Sequence, residues 1–111
     1  MNSDSQVEDG ITLEVPGTAL VEQIGERIAW HNRSAADLGE EMEAIRQRSQ
    51  ANLESAEFMR LDMRRRELAR MMLEHEERAR FLDFVRRHLN PARTYRLTLR
   101  DLEDFEITPQ T

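Results

Sequence analysis

His31 and His75 are the residues whose chemistry would matter most if the fold brought them together. Two imidazoles in one layer of a helical bundle can ligate a metal, or charge together near pH 6 and loosen the core. In a dimer the same layer would hold four. Di-metal bundle sites use Glu-x-x-His. Here the residue three before His31 is Ile28, and three before His75 is Met72, so ferritin-like iron chemistry is not expected. A hydrogen-bonded core pair is the plainer reading. A metal at this layer is the one cofactor the sequence leaves open.

Arg60, Arg64, Arg65, Arg66 and Arg70 form the densest basic cluster. Arginine at this density can grip phosphate or RNA. No aromatic residue interleaves to stack bases, and Asp62 and Glu67 sit among the arginines. A solvated face, paired with an acidic helix or a partner, explains the cluster as well. The net charge of −6 argues against nonspecific DNA binding. There is no nucleophile–base arrangement, glycine-rich phosphate loop or His-Glu-x-x-His. No enzyme activity is expected.

These side chains need elements to hold them. At 111 residues the chain suits one domain. Charged residues make up 34% and aromatics 5%, a balance normal for long solvated helices. All 16 basic residues are arginine, and there is no cysteine, which excludes disulfides and thiolate metal sites. The start, Met1-Asn2-Ser3-Asp4-Ser5, does not read as a signal peptide. No apolar run approaches the roughly 20 residues of a membrane helix. A cytoplasmic location without membrane partners is the expectation.

Residues 1–10 read as a disordered acidic tail, residues 11–107 as a single helical-hairpin domain, and 108–111 as a tail. Ile11–Val15 alternates with period two, as a short strand does. Pro16-Gly17 suits a tight turn with Gly17 at positive φ, and Thr18 can cap the helix that follows. From Leu20 the period changes. Leu20, Ile24, Ile28, His31, Ala35, Leu38, Met42 and Ile45 recur in steps of four and three, one face of an α-helix. Leu61, Leu68, Met72, His75, Ala79, Leu82 and Leu89 make a second stripe. Asn90-Pro91 ends it, with Asn tolerating the left-handed region. Thr94–Leu99 reads as a second strand. Thr98 and Asp101 match a capping box opening a last short helix with Leu102 and Phe105.

Between the stripes, residues 49–55 contain no Gly or Pro. An unbroken helix from 18 to 89 would be about 108 Å long. Folding at residue 53 instead sets Ile45 against Leu61, Leu38 against Leu68, His31 against His75, and Ile24 against Leu82. It also brings the two strands together, antiparallel. Charge agrees: residues 18–57 carry −4 and residues 58–100 carry +6.

Self-association follows from width. Met71-Met72-Leu73 spans about 200° of a helix, more than one neighbouring helix covers. Gly25, Asn32 and Gly39 flank one edge of the first seam, where small residues let another helix approach, and Trp30 beside it suits an interface anchor. The expected fold is therefore mainly α: a long antiparallel helical hairpin with two short terminal β-strands, dimerising into a four-helix bundle. The leading functional reading is a small non-catalytic interaction or assembly module. Its partner is itself, with another protein as an option. The alternatives are a ligand- or metal-binding bundle centred on His31 and His75, and an RNA-binding hairpin using the Arg60–Arg70 face.

Overall fold

The structure, a computed structural model, describes residues 11–108. The expected tail over 1–10 lies outside the described residues, as do positions 109–111. The order is β1 (Thr12–Pro16), α1 (Gly17–Ser49), α2 (Ser55–Arg87), β2 (Thr94–Thr98) and α3 (Leu99–Asp104). The chain is mainly helical, and its two long helices form a hairpin. The reversal occupies residues 50–54. The Glu54 carbonyl accepts from the Phe58 amide at 2.9 Å and so begins α2. Contacts group the chain into two units: one from the described parts of Met1–Ile28 and Phe81–Thr111, the other Ala29–Arg80.

In the first unit β1 and β2 pair antiparallel, with Thr12 opposite Thr98 and Pro16 opposite Thr94. Alternation puts Val15 and Leu97 inward. They join Leu20 and Ile24 of α1, Leu82 of α2, Leu102 of α3 and Ile107 in one apolar core. Ile24 and Leu82 thus share the layer expected of them. Burying a Leu or Ile side chain contributes about 1.5–3 kcal/mol, so these residues fix where the short strands sit on the helices.

Three terminus expectations are corrected. No described glycine has positive φ. Gly17 is instead the first residue of α1, and its amide donates to the Arg93 carbonyl at 2.6 Å. A Cβ there would run into the Asn90 carbonyl oxygen and lie 2.6 Å from that of Arg93. Close backbone approach, not turn geometry, requires this glycine. Because the helix begins at Gly17, Thr18 lies inside its first turn. At the other end, α2 stops at Arg87, three residues before Asn90. Its last turn tightens through His88 N–H to Val85 O and Leu89 N–H to Arg86 O. Asn90 is not left-handed; it opens a turn through Pro91, with its carbonyl accepting from Arg93 N–H and its Oδ1 from Ala92 N–H.

α3 begins with a complete capping box: Thr98 Oγ1 accepts from the Asp101 amide and the Asp101 carboxylate accepts from the Thr98 amide. It ends in a Schellman motif. Ile107 N–H reaches Leu102 O at 2.8 Å and Glu106 N–H reaches Glu103 O at 3.1 Å.

The second unit contains the turn. Its seam is thin. Leu68 is fully buried, with Ala35, Ile45, Ala79 and His31 also buried. Arg48 bridges to Glu57 and Arg64 to Glu41 across the two helices.

Candidate functional site

Seven-residue spacing along each seam carries α1 from Leu38 to His31 and α2 from Leu68 to His75, both toward the opposing helix. The rings meet there. His31 Nδ1 lies 2.9 Å from His75 Nδ1, with ring centroids 5.1 Å apart. His31 is buried and His75 half-buried. Trp30 sets its indole at steep angles to both imidazoles, with centroids 4.9 Å from His31 and 5.3 Å from His75.

A Nδ1-to-Nδ1 hydrogen bond needs a proton on one nitrogen and a lone pair on the other. The bond therefore exists only while at least one ring is neutral. Two imidazoles on one tetrahedral zinc would hold their nitrogens about 3.3 Å apart, from bonds of roughly 2.0–2.1 Å. Among the described residues, no group of three or more His, Asp or Glu side chains is placed to hold a metal ion. What this geometry does is close a polar pair inside an apolar seam. No buried side-chain nitrogen or oxygen among the described residues lacks a partner.

The chain matches no known family model, no curated protein and no solved structure.

The arginine face is locally compensated. Arg64 pairs with Glu67 at 3.0 Å as well as with Glu41 at 3.2 Å. Arg65 and Arg66 both reach Asp62, at 3.0 and 3.1 Å, and Arg70 lies 3.6 Å from Glu74. Arg60 is exposed. The carboxylates of Glu67 and Glu41 hold the Arg64 guanidinium above its ordinary pKa. On α1, a hydrogen bond from Arg46 holds the Glu43 carboxyl below its ordinary value. Exposed pairs like these contribute little to stability, but they fix where charge sits on each flank.

The residues expected at a dimer interface do not share one surface. Counting about 100° per residue, Asn32 and Gly39 lie on one flank of α1 and Trp30 on the other. Met72 leans to the flank of Gly39, where a Cβ would be 3.8 Å from Met72 Cε. Met71 leans to the flank of Trp30. Both methionines are half-buried, so the hairpin covers more of this run than its width suggested. Leu73 is 51% exposed. Gly25, in the first unit, is half-buried, with a Cβ position 3.6 Å from Arg86 Nη1.

The flank of Gly39 carries a shallow groove of about 350 Å³ lined by Gly39, Met42, Glu43, Arg46, Arg65 and Met72. The sequence reading did not single out Ala36 and Ala69 beside it. Nor did it single out Phe58, Met59 and Met63, exposed at 48%, 62% and 68%. The signal was present: Met59, Met63 and Leu73 lie on the side of α2 opposite Leu68, so its apolar residues occupy two faces.

Proposed function

We propose that the protein is a non-catalytic interaction module that works as a homodimer, two hairpins closing into a four-helix bundle. The observation that carries this reading is Leu73: an aliphatic side chain midway along α2, half exposed, on the side of the helix opposite the buried Leu68. Met59 and Met63 add further apolar surface in the same unit. Exposed apolar side chains gathered on one helix face mark an interaction site more often than scattered ones do. A second copy supplies a matching surface without any further gene product. No helix among the described residues is long and apolar enough to cross a membrane.

Light scattering at micromolar concentration tests the reading. A dimer mass is expected for the wild type. Leu73→Glu should give a folded monomer. Met72→Glu should also loosen the hairpin, because Met72 is packed toward Gly39. A monodisperse wild-type monomer at this concentration would end the proposal.

A further inference from the structure

We propose that the His31–His75 pair is an acid-sensitive latch: it accepts one added proton and parts on a second, opening the helix seam of the second unit. The inference is independent of the homodimer reading, because both rings belong to one chain.

The rings face each other through like atoms. With both neutral, one Nδ1–H donates to the other ring's lone pair across 2.9 Å. With one proton added, the imidazolium donates from Nδ1 to the neutral ring, and the bond persists with charge behind it. With two added, each Nδ1 carries a hydrogen. No acceptor is left between them, and two like charges stand at hydrogen-bond distance. The folded pair therefore holds one proton fewer than the unfolded chain, in which the rings charge independently.

The surroundings offer the second proton little. Arg27, paired with Glu106, lies one turn before His31 on α1, and Arg78 lies one turn after His75 on α2. Neither arginine can accept a hydrogen from a charged ring. Glu74 and Glu76 flank His75 in sequence but project about 100° to either side of it around the helix, and Glu74 is exposed and 3.6 Å from Arg70. Relief lies with His75, which is half-buried and can swing its charged ring toward water, leaving the buried His31 at a gap. The layer counts because this seam is thin: besides His31, the buried residues of the second unit are Ala35, Ile45, Leu68 and Ala79. The first unit has its own apolar core around Leu20, Ile24 and Leu82. Helices that lose their packing fray, so the second unit opens first.

The sign follows from the proton counts. Below about pH 6.5, where ordinary histidines charge, the unfolded chain binds up to one proton more at this pair, so stability falls as pH falls.

Urea denaturation of the full chain at one protein concentration, followed by circular dichroism between about pH 7.5 and 5, tests this against two variants. His31→Leu/His75→Leu removes the pair. His75→Asn supplies an amide oxygen that never charges and can accept from a protonated His31. His88 and every carboxylate remain in all three proteins. Below about pH 6.5 the wild-type unfolding constant should rise faster than either variant's, by up to about tenfold per pH unit. Hydrogen exchange at the acid end should show protection lost around Ala35 and Leu68 before Leu20 and Leu82. Equal pH slopes in the wild type and the double-leucine variant overturn the latch, as does a His75→Asn variant as acid-sensitive as the wild type; either variant decides if the other does not fold. Protection lost equally in both units overturns the opening of this seam.

Discussion

The Glu106 carboxylate accepts two hydrogen bonds from Arg27, 3.0 Å from Nε and 2.6 Å from Nη2, while the Glu106 backbone sits at φ 57°. It is the one described non-glycine residue in the left-handed region. It occupies the position of the Schellman motif that glycine usually fills. A side chain there costs about 1–2 kcal/mol, and a partly exposed ion pair offsets about 0–1 kcal/mol of it.

Glu106→Gly should therefore stay within about 1 kcal/mol of the wild type, because strain and ion pair leave together. Glu106→Ala keeps the strain and loses the pair, so it should fall below Glu106→Gly. Urea denaturation of the three proteins checks the order. Glu106→Gly emerging as the least stable would show that the Arg27 contact outweighs the backbone cost.

The histidine pair should behave as a unit. His75→Leu removes the Nδ1 partner of the buried His31 and should cost about 1–3 kcal/mol. His31→Leu should cost less, because His75 is half-buried and can turn toward water. Replacing both by Leu should be close to neutral, since no polar atom is then stranded. Thermal melts of the four proteins give the coupling energy. Simple additivity of the two single losses would mean that the pair contributes nothing as a pair.

Two glycines should respond in opposite ways. Gly17→Ala pushes a methyl into the Asn90 and Arg93 carbonyls and should cost about 3 kcal/mol or prevent the strands from docking. Gly25→Ala meets only the flexible end of Arg86 at 3.6 Å and should gain up to about 1 kcal/mol from helix propensity. Melting temperatures decide. A tolerated alanine at position 17 would refute the close approach.

Thr98→Ala removes the hydroxyl that accepts from the Asp101 amide and should cost about 1 kcal/mol. The loss should appear first as faster amide exchange in α3, which a hydrogen-exchange measurement resolves. Unchanged exchange at Asp101 would mean that core burial of Leu102 alone holds the helix.

The helices, their reversal and the histidine layer were legible because each is written in local periodicity. Leu20 to Ile45 repeats in threes and fours, and counting back from the turn sets His31 against His75. The capping box was legible for the same reason: both partners lie within three residues. What escaped depends on which distant backbone passes nearby. Nothing around Gly17 announces that Asn90 and Arg93 will press on it. Nothing about Glu106 suggests a left-handed backbone, which glutamate rarely adopts. Asn90 looked like a helix stop, but the chain had already left the helix to bring β2 beside β1. The width of Met71-Met72-Leu73 was read as too great for one neighbour, yet the hairpin half-buries both methionines. Its division, with Leu73 alone well exposed, depended on how far the methionine side chains bend around the seam.

Trp30 is the single tryptophan in the chain, and it touches both imidazoles. Its intrinsic emission is therefore a label-free optical reporter seated at the histidine layer. Any event that parts those rings registers there as a change in colour or brightness, without a dye attached.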